Sequence, residues 1–457
     1  KNGGFLFSFG AVCGIYFVMP ALSFGGEKPW QGGGISDRIR QSFRSSMAVS
    51  LTTLPVLLSF FYTVPVYSIF LNLIVIPLMT LLLFTGFLVV LLGSVSLSLG
   101  RPLAFLDHGI LQVYEQLCKT AQRLPWSRWS AGHAELWQSL LYLLCLLCFV
   151  FLSKKIKGKP HGRGRMELFR FALLGAGLFL LCLRQRPVLK MTFVDVGQGD
   201  GIVLECKGNA YLIDGGSTSK KQVGKFQLLP YLAYEGIGEI KAAMVTHEDL
   251  DHFSGLLTLM EEGKEGGIQI HGLYLPDTAP SSRTGNYLLL EEKAKEAGIP
   301  VFFLHKGQEW REREVSFRIL GPPAGMETEG ANAHSTILQV RWGSFSALFT
   351  GDVEKEGLEA LKRTLRILPE KGRRVTLLKV PHHGSRYTTD EEFLDLCQPD
   401  YSVISCGDHN PYGHPHRETL KRLGLISKKI WITKEDGAIT VTLSERGERM
   451  RVCTFLP

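Results

Sequence analysis

The chain has 457 residues, 45% of them hydrophobic and 21% charged, which excludes a largely disordered or coiled-coil protein. Its length predicts two or more domains, and its slightly positive mean hydropathy indicates membrane segments joined to a soluble part. The net charge of +8 is uneven, because residues 1–186 carry 18 Lys and Arg against 6 Asp and Glu, whereas residues 187–457 carry 33 against 37. Net charge therefore gives no support for a basic nucleic-acid-binding surface in the second part.

The first 186 residues contain five apolar runs that approach the roughly 20 residues needed to cross a bilayer. The runs are 4–24, 47–64, 66–99, 137–152 and 168–183. The run 66–99 contains Pro77 and predicts either two short helices or one helix with a re-entrant break. So many runs with almost no internal charge predict a membrane bundle, and the first run lacks the features of a signal peptide. Because the chain begins at Lys1, we expect it to be a fragment of a longer protein.

A basic segment predicts the orientation of the membrane part. Residues 154–165 contain six Lys and Arg and no acidic residue, which is typical of a cytoplasmic loop. The run that follows would then deliver the remaining chain to the outer face, although Arg184 and Arg186 at its outer end weaken this bias.

Residues 100–135 carry apolar residues at helical spacing, which predicts an amphipathic helix at the membrane interface or on the bundle. An ordinary surface loop is the alternative. The nine cysteines, an odd number, indicate no disulfide framework. Cys145 and Cys148 form a C-x-x-C within an apolar run, and we interpret them as ordinary membrane-helix residues.

From residue 187 onward, short β-branched segments alternate with turns and helical stretches, which predicts a mixed α/β domain over 187–457. The predicted strands include 190–196, 201–206, 209–213, 241–246, 345–349, 377–380 and 401–406, and a helix is predicted over 227–234.

The residues that point to chemistry follow predicted strands. His247, Asp249, Asp251 and His252 lie within six residues, directly after the strand 241–246. Neither helix nor strand packing requires this density of ionisable groups, and burying them together is costly without a cation. The segment therefore predicts a metal site.

Three further segments carry candidate site residues, and each of them alone is a weaker signal than the H-x-D-x-D-H segment. Thr350-Gly351-Asp352 follows one strand, although a Gly-Asp turn is common by itself. Pro381-His382-His383-Gly384-Ser385 follows the next, and a rigid loop of Pro and Gly carries His414 and His416. The other histidines, His108, His133, His161, His271, His305 and His409, have no ligand-like neighbours, and His334 is ambiguous.

Together, Asp214-Gly215-Gly216, the H-x-D-x-D-H segment, Thr-Gly-Asp and a late His resemble the metallo-β-lactamase fold. That family usually has H-x-H-x-D-H, so Asp249 stands where a second His is expected, and the family's third motif, near Asn332, is unclear. These departures fit one subfamily. Asp-Val-Gly-Gln-Gly-Asp at 195–200, the H-x-D-x-D-H segment, Pro-His-His-Gly-Ser and Asn-Pro-Tyr-Gly-His-Pro-His together resemble the ComEC-type DNA-internalisation competence proteins. The segment 65–77 is similar to the membrane competence domain of that family.

The resemblance implies a multi-pass α-helical membrane bundle, a partial competence domain over 1–186, followed over 187–457 by an α/β metallo-β-lactamase-like αββα sandwich. It implies two divalent ions, with Mn²⁺ or Mg²⁺ favoured over Zn²⁺ because Asp249 makes the site harder. The expected metal ligands are His247, Asp249, Asp251, His252, Asp352 (as the bridge) and His383. Asp251 and His382 are the expected catalytic residues, Ser385 and His414 are expected to bind substrate, and Asp214 is expected to support the site by hydrogen bonding.

The implied function is uptake of single-stranded DNA through a lipid bilayer, together with other uptake-machinery proteins, while an outward domain hydrolyses the non-transported strand. An oligomer is compatible with it. Three alternatives stay open: an antibiotic-hydrolysing lactamase, a transporter whose lactamase-like domain is inactive and structural, and a membrane-tethered hydrolase of another phosphate ester.

Overall fold

A computed structural model gives the fold and describes residues 2–23, 34–156, 163–184, 186–408, 410–444 and 447–456. The chain divides into two compact units, Lys1–Arg184 with Ala233–Ile237, and Gln185–Leu232 with Gly238–Pro457. Each unit has a buried hydrophobic core of its own.

The N-terminal unit is helical. Its helices are α1 (Gly3–Cys13), α2 (Ile35–Phe60), α3 (Ser68–Val95), α4 (Leu97–Gln122), α5 (Leu136–Ile156) and α6 (Arg163–Cys182). A π-helical turn, Gly14–Val18, and a 3₁₀ turn, Met19–Leu22, extend α1. A short antiparallel ribbon joins β1 (Thr63–Pro65) to β2 (Arg128–Ser130).

Four helical segments in the described residues are long and apolar enough to cross a membrane: Gly3–Leu22, Ile35–Phe60, Ser68–Val95 and Leu136–Ile156. They overlap four of the five predicted runs. The fifth run lies in α6, whose first half carries Arg165, Glu167 and Arg170, and α6 is not among the four. The Arg170 guanidinium is buried and donates to the carbonyl oxygen of Ala21 at 2.6 Å.

Most of the run 66–99 forms one helix, α3, which continues through Pro77, so both predicted alternatives, two short helices and a helix with a re-entrant break, are wrong. The amphipathic helix predicted within 100–135 is confirmed as α4, and the surface-loop alternative is excluded. Two polar contacts fasten α4 to α3: the Tyr114 hydroxyl donates to the Val75 carbonyl oxygen at 2.9 Å, and Thr85 bonds the Asp107 carboxylate. All nine cysteines are unpaired, and Cys145 and Cys148 lie in α5.

The C-terminal unit contains two large sheets with helices outside them. Its strands are β3 (Leu189–Phe193), β4 (Gly201–Cys206), β5 (Asn209–Asp214), β6 (Glu239–Ile240), β7 (Ala242–Met244), β8 (Gln269–Ile270), β9 (Leu273–Pro276), β10 (Val301–Leu304), β11 (Glu309–Glu312), β12 (Val315–Gly321), β13 (Ile337–Trp342), β14 (Phe345–Phe349), β15 (Leu377–Lys379), β16 (Tyr401–Ile404), β17 (Lys429–Ile432), β18 (Ile439–Leu443) and β19 (Met450–Thr454). One sheet has the order β10-β9-β7-β5-β4-β3-β18-β19 and the other β11-β12-β13-β14-β15-β16-β17.

The helices of this part of the chain are α7 (Leu229–Glu235, whose last three residues lie in the small segment grouped with the first unit), α8 (Leu250–Lys264), α9 (Gly285–Glu296), α10 (Lys355–Ile367), α11 (Glu370–Arg373), α12 (Glu391–Cys397), α13 (Arg417–Ile426) and α14 (Thr433–Asp436). The predicted helix 227–234 begins earlier than expected, in a π-helical turn over Gly224–Leu228.

Apolar side chains from both sheets fill the space between them. Phe193 and Phe349 lie with ring centroids 6.2 Å apart, and Tyr211 and Phe317 lie 5.3 Å apart. A second buried cluster joins the seven-stranded sheet to residues of α10, α12 and α13. Buried side chains of α8 and α9 pack beside the other sheet. This layering is the αββα sandwich that the sequence predicted.

The strands predicted at 201–206 and 345–349 have those bounds, whereas β3, β7, β15 and β16 end one to three residues before their predicted ends. In β5–β7–β9 and in β14–β15–β16 the strands are parallel, so their carboxyl ends meet at one edge of each sheet. The site described next is built from the segments that follow the ends of β7, β14 and β15.

Candidate functional site

The H-x-D-x-D-H segment spans the turn between β7 and α8. Helix α8 begins at Leu250, so Asp251 and His252 occupy its first turn, where a carboxylate is favoured by the helix dipole. The Asp214 carboxylate, at the end of β5, accepts from the Thr246 amide at 2.7 Å and the Thr246 hydroxyl at 2.8 Å, and lies 2.9 Å from His252 Nδ1. These bonds match the predicted supporting role of Asp214, and they fix the direction in which His252 presents Nε2.

Four predicted ligands from three segments come together: Asp251, His252, Asp352 and His383. One donor atom from each lies within 4.8 Å of all the others. Asp352 Oδ2 is 3.4 Å from His252 Nε2 and 3.2 Å from His383 Nε2, and Asp251 Oδ2 is 3.3 Å from His383 Nε2. His252, Asp352 and His383 are buried, whereas Asp251 stands at the open side.

The backbone around this cluster is strained and closely packed. His382 and His383 have φ of +46° and +52°, in the left-handed region that non-glycine residues rarely adopt. Their turn places the His383 ring so that Nδ1 contacts the Ser405 carbonyl oxygen at 2.8 Å. A Cβ atom at Gly216 would lie 2.4 Å from the His252 amide nitrogen, so only glycine permits this approach to the start of α8.

Asp200 and Lys379 complete the buried centre, and we did not predict either. Lys379 is almost fully buried at the end of β15, forms an ion pair with Asp200, and lies 3.5 Å from Asp352 Oδ1. Burial opposes the charged form of Lys379, but Asp200 and Asp352 outweigh it and raise its pKa. The available signal was a lysine inside an otherwise apolar strand, directly before the two histidines.

The charges of the cluster depend on one another. Burial opposes ionisation of Asp352, but His383, His252 and Lys379 hold its pKa well below the usual range. Burial likewise opposes the charged form of His383, yet the Asp352 and Asp251 carboxylates raise its pKa to about 10. A metal cation would compete with protons for these same nitrogen atoms.

The donor set fits a divalent metal ion, which the fold family implies. Within the described residues, the buried Nε2 atoms of His247, His252 and His383 have no hydrogen-bond partner of acceptable geometry, although carboxylate oxygens face them at 3.2–3.5 Å. Imidazole nitrogens and carboxylate oxygens that face each other without hydrogen bonds are suitable ligands for a divalent cation placed between them.

The remaining predicted ligands form a pair outside the four-donor cluster, although the His247 ring lies only 4.0 Å from the His252 ring. His247 Nε2 is 3.5 Å from Asp249 Oδ2, and the Asp249 side chain is half exposed. His334, whose role the sequence left ambiguous, does not join them. Its Nε2 lies 2.8 Å from Glu248 Oε2 and its Nδ1 lies 2.9 Å from the Thr328 hydroxyl.

The predicted catalytic and substrate-binding residues lie around the open side. His382 is one-quarter exposed; its Nδ1 is 3.3 Å from Glu354 Oε2 and its Nε2 is 3.9 Å from Asp352 Oδ2. The His414 ring lies 5.5 Å from that of His382. Burial and the neighbouring His383 and His382 lower the pKa of His414 to about 4, so it is neutral at pH 7.

Ser385 does not face this open side as a free hydroxyl. Its side chain is buried and accepts from the Tyr387 amide at 3.5 Å, within the turn that holds His382 and His383. Of the scattered histidines, His108, His271 and His305 make local contacts, and His161 and His409 lie outside the described residues.

Residues 1–156 match the family described as Competence protein, and residues 194–409 match the metallo-beta-lactamase superfamily. The C-terminal unit is therefore a metallo-β-lactamase domain. Residues that match the competence-protein family are thus joined to residues that match the metallo-β-lactamase superfamily, which is the combination expected from the resemblance to ComEC-type competence proteins.

The chain is 27% identical over 421 residues to ComE operon protein 3 of Bacillus subtilis, covering 88% of this chain and 51% of that protein. It is 28% identical over 274 residues to Recombination protein 2 of Haemophilus influenzae, covering 58% of this chain and 31% of that protein. The chain thus spans about half the length, or less, of these curated relatives. The metallo-beta-lactamase fold protein YhfI of Bacillus subtilis aligns with 55% of this chain and 98% of its own, at 12% identity and a TM-score of 0.36.

The buried lysine gives a stability test. Replacing Lys379 by Met leaves Asp200 and Asp352 without their shared cation, so with chelator present we expect the free energy of unfolding of the C-terminal unit to fall by about 3–5 kcal/mol. Urea unfolding of the full chain in detergent, followed by tryptophan fluorescence, measures it. The control is Lys428→Met, whose exposed pair with Asp400 is screened by water, so this variant should lose far less stability. Equal losses in the two variants would contradict the assigned role.

Proposed function

We propose that this chain takes part in the uptake of single-stranded DNA across a cell membrane, and that its C-terminal unit is a metal-dependent phosphodiesterase acting on the strand that is not transported. The observation that supports the hydrolase most is the convergence of Asp251, His252, Asp352 and His383 within 4.8 Å. The match of residues 1–156 to the competence-protein family and the four apolar helices support the transport part.

Asp251, His252, Asp352 and His383 are the residues that would hold the ion. A bound divalent ion supplies Lewis acidity toward a phosphoryl oxygen and lowers the pKa of water. Two imidazoles with two carboxylates form a mixed donor set, which suits Mn²⁺ and, with the exposed Asp249 carboxylate nearby, favours Mn²⁺ or Mg²⁺ over Zn²⁺.

His382 has the position of a general acid. Its Nδ1 lies 3.3 Å from Glu354 Oε2, which would orient the ring as a carboxylate orients a catalytic imidazole, and its Nε2 lies 3.9 Å from Asp352 Oδ2. From there His382 can deliver a proton to the leaving oxygen of a phosphodiester. His414, neutral at pH 7, can donate a hydrogen bond to a phosphate oxygen.

The N-terminal unit would form the path for the transported strand together with other uptake proteins, and an oligomer is compatible with this role. We place the C-terminal unit on the outer face. The support is the basic character of residues 154–165, from which α6 would have to cross the membrane although it is not among the four apolar spans. Lys154 and Lys155 lie in the last turn of α5, and 157–162 lie outside the described residues.

Asp251→Asn tests the hydrolase. The exchange keeps the size of the side chain but removes an anionic ligand, so we expect cleavage of single-stranded DNA to fall about 100-fold or more and chelation of the wild type to do the same. The assay uses the full chain in detergent with Mn²⁺, Mg²⁺ or Zn²⁺. A folded wild type that cleaves no DNA with any of these ions would favour an inactive, structural domain. Cleavage of small phosphate esters alone would favour a different substrate.

His382→Gln tests the proton donor through the leaving group. We expect kcat for DNA to fall about 10²–10⁴-fold, because an alkoxide leaving group needs the proton. For bis-p-nitrophenyl phosphate, whose leaving group is stable without protonation, kcat should change less than tenfold. Metal content, measured on the same sample, should equal that of the wild type. An equal loss on both substrates would show that His382 is not the general acid.

The exposed thiol of Cys453 reports the orientation. In a Cys118→Ser background, which removes the other exposed cysteine, we expect a membrane-impermeant maleimide to label the chain on intact cells. The matched control adds Cys453→Ser and should lose that label. Labelling that requires broken cells would place the C-terminal unit in the cytoplasm.

A further inference from the structure

We infer that the two metal positions implied by the motifs are unequal: Asp251, His252, Asp352 and His383 hold one ion tightly, and His247 with Asp249 hold a second at least about 100-fold more weakly. This inference rests on the proposed metal-dependent function and concerns which residues of this chain reach each position.

The first position is already assembled. Its four donors include three buried side chains, and the surrounding structure holds them in place. Asp214 lies 2.9 Å from His252 Nδ1 and the Ser405 carbonyl lies 2.8 Å from His383 Nδ1, so in both rings Nε2 is the nitrogen left for the cluster. Little conformational freedom remains to be lost when an ion enters such a set, which favours tight binding.

The second position has two side-chain donors of its own, His247 and Asp249. Among the described residues, no third His, Cys, Asp or Glu donor lies within the same 4.8 Å reach of both. Asp249 is also half exposed, so water competes with the metal and the carboxylate must be ordered on binding.

His334 is the histidine nearest in sequence to the position of the family's third motif, but its ring does not face either metal position. Both of its ring nitrogens are engaged, Nε2 with Glu248 and Nδ1 with Thr328. Glu248 is itself held, because Thr284 donates to its carboxylate at 3.2 Å and Asn286 donates to its carbonyl oxygen at 3.0 Å. Releasing His334 would leave the Glu248 carboxylate buried without its partner, which is costly.

Asp352 belongs to the first position. Its Oδ2 faces His252 and His383, whereas its Oδ1 lies 3.5 Å from the Lys379 ammonium. Asp352 does not lie within the 4.8 Å reach of both His247 and Asp249. Even if Asp352 shifted to serve as a bridge, the second position would have three protein donors against four at the first.

The test counts ions and does not use activity. The full chain in detergent is stripped with chelator, loaded with Mn²⁺, passed through a desalting column and analysed for manganese and by electron paramagnetic resonance. We expect one Mn²⁺ per chain with the sharp hyperfine lines of an isolated ion, and a second equivalent only when free Mn²⁺ is kept in about 100-fold excess over the first dissociation constant. Two retained ions with an exchange-broadened spectrum would overturn the inference.

Two matched variants assign the retained ion to its position. Asp251→Asn should lose it, whereas His247→Asn should keep it and lose only the weak equivalent. Retention by Asp251→Asn with loss by His247→Asn would reverse the assignment and overturn the inference. A folded wild type that retains no ion would contradict the proposed metal-dependent function itself, and two equally tight ions would contradict only the inequality, so the two failures are distinct.

Discussion

The burial of several carboxylates around very few cations is the constraint on which the C-terminal unit depends. Asp200, Asp214 and Asp352 are each almost fully buried, and an uncompensated buried charge would destabilise the domain by several kcal/mol. Asp214 accepts hydrogen bonds from Thr246 and faces His252, and Asp200 forms an ion pair with Lys379. Asp352 shares Lys379 with Asp200, so part of its charge is left to protonated imidazoles or to a metal ion. The protein is thus built so that a cation completes its electrostatics.

The rest of the fold makes this concentration of charge possible. Parallel strands bring the carboxyl ends of β14, β15 and β16 to one edge, and the two apolar layers beneath them hold that edge rigid. A left-handed turn at His382 and His383 and the close approach of Gly216 to α8 are unfavourable by themselves. The left-handed turn and the close approach persist because the packed strands on both sides hold the backbone in these conformations. The same rigidity explains why the donor atoms are already close together.

The clustering of Asp251, His252, Asp352 and His383 could be expected from the sequence because these residues follow strands in short motifs, and parallel topology brings strand ends together. Lys379 was missed because it lies within an apolar strand and was treated as part of that strand. The pairing of Glu248 with His334 could not be predicted, because the residues are 86 positions apart and only the folded chain brings them together. In the membrane part, apolar runs identified α1, α3 and α5. They missed the polar first half of α2, because hydropathy detects the part of a helix suited to lipid and not the helix itself.

The spacing of the H-x-D-x-D-H segment has a physical explanation in the chain direction it imposes. Before α8 begins, His247 and Asp249 present their side chains to each other, while Glu248 between them is directed away to His334. After Leu250 the chain is helical, so the adjacent Asp251 and His252 both reach the buried cluster from the first turn. One segment of six residues therefore contributes to three places. His247 and Asp249 form the half-exposed pair, Glu248 forms the buried contact with His334, and Asp251 and His252 supply half of the four-donor cluster. The backbone changes from extended at Asp249 to helical at Leu250, and this change separates the His247–Asp249 pair from the four-donor cluster. The contact of Glu248 with His334 holds the chain in place just before that change.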